Sequence, residues 1–195
     1  MESPWNISTR YLNQDSVIYS AGVGLDISFE KELVSRFGVT VYLFDPSTTG
    51  IATMSKPENQ VAGIEFVPLG LAGKSGSVSF SFPKDKGERS FTINGESDYL
   101  VEFECRTLTE LMRERRHSQI DLLKMDIEGF EYEVLESIFR DRIQIKQICL
   151  EFHHFFKSIP KARTQRAISD LASKGYVLVY KEDANYTFLH ADLVQ

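Results

Sequence analysis

Ile18-Tyr19-Ser20-Ala21-Gly22-Val23-Gly24-Leu25-Asp26-Ile27-Ser28-Phe29 passes from a short apolar run into two glycines and then into a helical repeat. Strand formers fill 16–21, and Gly22 ends them. Beyond the glycines, Phe29, Leu33 and Phe37 recur every four residues with Val34 beside them, and Gly38 predicts the helix stop. Val39 to Phe44 runs straight on as a second strand and ends at Asp45-Pro46. A β-α-β unit with connections this short is the signature of a parallel sheet.

Outward from that unit the alternation continues. Val61 to Leu71 predicts a third strand, and Ser77 to Phe82 alternates as a half-exposed strand does. Residues 83–98 are polar and glycine-containing, and are expected to leave the core as a loop or hairpin. Thr107 to Arg116 predicts a helix with Leu108, Leu111 and Met112 inward, and Ile120 to Asp126 a buried strand. A helix through Phe130, Val134, Leu135, Ile138 and Phe139 follows, then a strand from Ile145 to Phe152. Pro160 to Ser173 is amphipathic. Tyr176 to Tyr180 and Tyr186 to Leu189 close the chain as a strand pair around the polar cluster 181–185. The expected fold is α/β: a mainly parallel twisted sheet with helices on both faces and a C-terminal antiparallel hairpin. Residues 1–195 are expected to form a single domain, with 1–15 as an N-terminal arm.

The bulk numbers disfavour several classes. Net charge is −6, and phosphate neutralisation needs a basic surface, so no nucleic-acid partner is expected. The basic run Arg113 to His117 fits the solvated end of a helix. Two cysteines, Cys105 and Cys149, make no disulfide framework and fit a reduced, cytoplasmic setting. No apolar stretch has the length of a membrane span, and Met1 to Asn13 lacks a signal-peptide pattern.

In a sheet of this kind, ligands bind beyond the carboxyl ends of the strands. The first strand ends in the glycine turn, which lets a ligand approach the backbone. About twenty residues on, the second ends in Asp45, a carboxylate able to accept both hydroxyls of a ribose. A dinucleotide fingerprint wants a third glycine where this chain has Ile27, and no Gly-Lys-Ser/Thr phosphate loop is present. S-adenosylmethionine carries no phosphates and needs only the turn and the acid. Two further clusters stand at strand ends: Lys124-Met125-Asp126-Ile127-Glu128-Gly129-Phe130-Glu131, with Gly129 expected in the first turn of the helix, and Glu151-Phe152-His153-His154.

The glycine-turn stretch, Leu43-Phe44-Asp45-Pro46 and Leu123 to Glu131 together resemble the FkbM family of methyltransferases, over about Ser16 to Leu189. The Lys-x-Asp-x-Glu-Gly-x-Glu pattern is the most specific part. The resemblance implies a Rossmann-like class I methyltransferase that uses S-adenosylmethionine on a hydroxyl oxygen of a small molecule or sugar. It implies Gly22 and Gly24 along the methionine part of the cofactor, with Ala21, Val23 and Asp26 in the same turn. It places Asp45 and Pro46 at the ribose, and Leu69, Gly70 and Leu71 near the adenine. Asp126 and Glu128 face the reaction cleft. The first turn departs from the family: Ser20 and Ala21 precede Gly22 where many members carry an acid, and Asp26 comes later.

Methyl transfer needs alignment of the acceptor and removal of its proton. His153 or Asp126 is the expected base, with Glu128 and Glu151 positioning the acceptor and no metal required. A cation held by Asp126, Glu128, Glu151 and His153 is the alternative. So is a cofactor-binding module without turnover. Tyr99, Phe103, Phe155 and Phe156 are candidates for an aromatic acceptor pocket, or for core packing.

Overall fold

The computed structural model, which describes residues 5–81, 100–156 and 158–193, opens with the β-α-β unit that the glycine turn predicts. Strand β1 (Ile18–Ala21), helix α1 (Ser28–Phe37) and strand β2 (Val41–Phe44) follow one another, and Gly38 caps α1 at φ +66°. A second helix, α2 (Thr48–Met54), leads to β3 (Ile64–Val67). After α3 (Leu108–Arg115) come β7 (Ile120–Met125), α4 (Glu131–Asp141), β8 (Ile145–Glu151), α5 (Lys161–Ser173), β9 (Tyr176–Glu182) and β10 (Asn185–His190). Seven of the strands form one sheet in the order β3-β2-β1-β7-β8-β10-β9. Only β10 runs against its neighbours, inserted between β8 and β9. The expected hairpin is therefore present, with its second strand inside and its first at the edge.

Every residue of β1 and β7 is buried, as strands covered on both faces must be. Alternation sends Tyr19, Leu123 and Met125 towards Leu111, Val134 and Ile138 of α3 and α4. It sends Ile18, Val41 and Leu122 towards Leu33 of α1. The N-terminal arm adds Trp5, Ile7 and Leu12 to that second face, and the backbone N–H of Ser8 donates to Gln147 Oε1 at 2.6 Å.

One expectation is corrected. The third strand does not continue through Leu69. Pro68 has no N–H for the ladder, so the chain leaves the main sheet after Val67. It then pairs as β4 (Gly70–Leu71) in a smaller sheet with β5 (Gly76–Ser81) and β6 (Leu100–Arg106), in the order β4-β6-β5. Strand β6 and helix α2 are additions to the sequence reading. The expected excursion over 83–98 lies outside the described residues. Phe80 and Cys105 of the small sheet pack against Phe130, which joins it to the site end of the main sheet. Among the described residues, no helix is long and apolar enough to cross a membrane.

Candidate active site

The sheet reverses its winding between β1 and β7, and there a cleft of about 400 Å³ opens at the carboxyl ends of the strands. Gly22 stands at its base with φ +92°, and a Cβ there would lie 1.9 Å from the Asp126 carbonyl oxygen, so no side chain fits. Gly24, at φ +56°, has nothing within 4 Å of its would-be Cβ and leaves the turn open to a ligand. Asp45 Oδ2 accepts the Val23 N–H at 2.8 Å and Oδ1 accepts the Ser47 N–H at 2.7 Å. Its carboxylate is thus tied to the glycine turn and to the cap of α2, with lone pairs left towards the cleft. Ile27 is 1% exposed and packed with Val23, Leu43 and Met54, so the position of the missing third glycine is filled core.

The floor is a buried ion pair absent from the sequence reading. Glu30, from the inner face of α1, accepts the Ser20 hydroxyl at 2.6 Å. Lys124 donates to the Gly22 carbonyl at 2.6 Å, lies 4.0 Å from Glu30 Oε1, and sits 4.9 Å from the centre of the Trp5 ring. All three side chains line the cleft. The departure at the first turn therefore has a structural counterpart: Ser20 does not replace the acid but holds one supplied by the next helix. The signal was an acid beside Leu33 on the apolar stripe of α1, and a lysine inside a mainly apolar strand.

The far wall is the loop from Asp126 to Phe130. Glu128 takes φ +54° and Gly129 φ +105°, so Gly129 forms a left-handed turn ahead of α4 rather than lying within its first turn. Asp126 is not the cap of that helix. The loop folds around Glu131, which is fully buried and accepts the N–H groups of Ile127 (3.1 Å) and Gly129 (3.1 Å). Glu131 also meets His153 Nδ1 at 2.8 Å. The other ring nitrogen of His153 lies 3.3 Å from Glu128 Oε2 and 3.6 Å from Asp126 Oδ1. Burial alone lowers the His153 pKa, but the hydrogen bond and charge of Glu131, with Glu128 and Asp126, more than reverse this and hold it at about 9. Burial, with Asp126 nearby, pushes the Glu151 carboxyl above its usual range.

Of the residues expected at the cofactor, Gly22, Val23, Gly24, Asp26, Asp45, Pro46, Gly70, Leu71 and Asp126 line the cleft, as does Glu128. Ala21 and Leu69 do not. Ala21 is buried in β1, where its carbonyl accepts the Asp126 N–H at 2.9 Å, and Leu69 precedes the turn into the small sheet. Asp26 is exposed and its carboxylate is engaged by the N–H and hydroxyl of Ser28. His153 lies behind the Asp126 and Glu128 side chains, not in the cleft wall. Phe103 lines the cleft with Phe80 and Phe130, whereas Phe155 and Phe156 pack around His153. Tyr99 lies outside the described residues.

The comparisons with known proteins identify the fold and the family. The family model described as the methyltransferase FkbM domain matches residues 10–178. The human probable methyltransferase-like protein 24 is 23% identical over 155 residues, which are 78% of this chain and 37% of the human protein. The chain thus spans well under half of that relative's length. An rRNA methylase from Streptococcus thermophilus superposes with a TM-score of 0.52 at 12% identity, over 91% of this chain and 87% of the methylase. A putative methyltransferase from Streptococcus mutans, solved with S-adenosylhomocysteine, gives 0.51 at 9% identity over 92% and 89%. These structures share the class I methyltransferase fold. With the family match covering most of the chain, the protein belongs to the FkbM family of S-adenosylmethionine-dependent methyltransferases.

Proposed function

We propose that this chain, acting as one methyltransferase domain over 1–195, methylates a hydroxyl oxygen of a small molecule or sugar. The observation that carries the reading is a single cleft with a carboxylate fixed for a ribose at one end and a pair of carboxylates at the other. The groups present fit S-adenosylmethionine. Glu30 and Lys124 form a buried pair of opposite charges that complements an amino-acid zwitterion, and Asp45 has acceptor capacity to spare. Phe44, Pro46, Gly70 and Leu71 offer a mainly apolar surface for the base. The cofactor supplies a methyl on a sulfonium, already activated towards an oxygen nucleophile.

The chain's own work is orientation and proton removal. Asp126 is the better placed of the two expected bases, because its carboxylate faces the cleft while His153 is buried behind it. Glu128 lies beside it to orient the acceptor hydroxyl, and Glu131 and His153 brace both carboxylates from below. Phe80, Phe103 and Phe130 restrict water at that end. The acidic wall and the net charge of −6 favour a neutral acceptor over a polyanion.

Calorimetric titration with S-adenosylmethionine, S-adenosylhomocysteine and NAD tests the cofactor half. Binding of both sulfur ligands, none of NAD, and loss of binding in Asp45→Ala is the expected result. The acceptor half is tested by methyl transfer from labelled cofactor to a hydroxyl-compound panel beside structured RNA. Transfer to RNA alone overturns the acceptor assignment.

A further inference from the structure

Asp126, Glu128 and His153 each present one donor atom, and the three donors lie within 4.8 Å of one another at the acceptor end of the cleft. We infer that they form a divalent-cation site, with Mn²⁺ the best-suited probe. The inference deepens the methyl-transfer reading and rests on it for its purpose. A set of one imidazole nitrogen and two carboxylate oxygens suits a first-row divalent metal. The nitrogen-to-oxygen separations of 3.3 and 3.6 Å are close to the ~3 Å between adjacent ligands of an octahedral ion with bonds of ~2.1 Å.

The second observation is independent of Asp126 and Glu128. His153 is 2% exposed and cannot turn, because Nδ1 is bound to Glu131 at 2.8 Å and Glu131 is itself pinned by two backbone N–H groups. A buried carboxylate on one ring nitrogen is the outer-shell arrangement of metal-bound histidine, and a cation bound between the other nitrogen, Asp126 and Glu128 would take the place of that nitrogen's proton. Asp126 and Glu128 also line the cleft, so coordination positions remain open on the acceptor side. A hydroxyl placed there would be made more acidic by the cation, which draws the alkoxide towards the carboxylate end of the cleft.

The test is Mn²⁺ titration of the purified chain, reading free Mn²⁺ by electron paramagnetic resonance. One ion bound per chain is expected, at least tenfold weaker in Asp126→Asn and His153→Gln, and about 10–100-fold weaker in Glu131→Gln. Should a variant fail to fold, pulsed resonance on the wild-type complex still decides, because an imidazole ligand leaves a ¹⁴N coupling. Absence of stoichiometric binding up to millimolar Mn²⁺, or binding without nitrogen coupling, overturns the site. Wild-type methyl transfer at full rate in excess chelator overturns the cation's part at the acceptor hydroxyl while leaving the methyltransferase reading intact. Stoichiometric Mn²⁺ with nitrogen coupling upholds the site even if the chosen hydroxyl acceptors prove wrong.

Discussion

Gly50 lies against Asp45 so closely that a Cβ at residue 50 would sit 2.4 Å from the Asp45 carboxyl carbon. The glycine is in helix α2, where alanine is ordinarily favoured by about 1 kcal/mol. Here it makes room for the acid proposed to hold the ribose. Gly50→Ala is expected to displace the Asp45 carboxylate from the Val23 and Ser47 N–H groups, and to weaken S-adenosylhomocysteine at least about tenfold while a folded protein remains. Calorimetry and thermal melting measure the two effects separately. Unchanged affinity would detach Asp45 from the cofactor.

The Glu30–Lys124 pair yields a second expectation. Lys124→Met leaves a buried carboxylate without its cation and should cost about 3 kcal/mol in urea denaturation. Adding Glu30→Gln should restore much of that stability without restoring cofactor binding. A double variant that binds as the wild type does would make the pair a scaffold feature only.

Asp126→Asn keeps the shape of the side chain and removes its basicity. The expected outcome is a kcat lower by about 10²–10⁴-fold, with S-adenosylhomocysteine affinity within a few-fold of wild type. A rate close to wild type would assign proton removal to another group.

The two thiols should be inert in the native protein. Burial pushes both Cys105 and Cys149 up to about 12, so at pH 8 about one thiol in ten thousand is thiolate. Iodoacetamide followed by mass spectrometry should label neither until urea unfolds the chain. Rapid native labelling of Cys149 would contradict its place in the core beneath α1.

The central strands were legible because β1 and β7 are covered on both faces and so read as mainly apolar runs, interrupted only by Ser20, Asp121 and Lys124. The glycine turn and Asp45 were legible as cleft residues because each stands at the carboxyl end of a strand, where the backbone constraint at Gly22 acts. Helix α2 was not, since Thr48, Thr49 and Gly50 are weak helix formers, and its start depends on the Ser47 hydroxyl and on Asp45. Strand β6 was passed over although Val101, Phe103 and Cys105 alternate with acids. The roles of Glu30 and Glu131 depend on contacts with Ser20 and His153, ten and twenty-two residues away, which a local reading cannot pair.

The insertion of β10 between β8 and β9 sets a timetable for a chain emerging from the ribosome. Until residues 185–190 have emerged, β8 has an open edge on the side away from β7, and β9 has no neighbour to join. The segment after β8 that carries His153 is braced by the Phe152 N–H bonded to the Ala184 carbonyl, and by Asn185 in register with Glu151. The histidine behind Asp126 and Glu128 therefore waits on β10. A nascent chain can hold its glycine turn and Asp45 early, but completes the support behind Asp126 and Glu128 only when translation has passed β10.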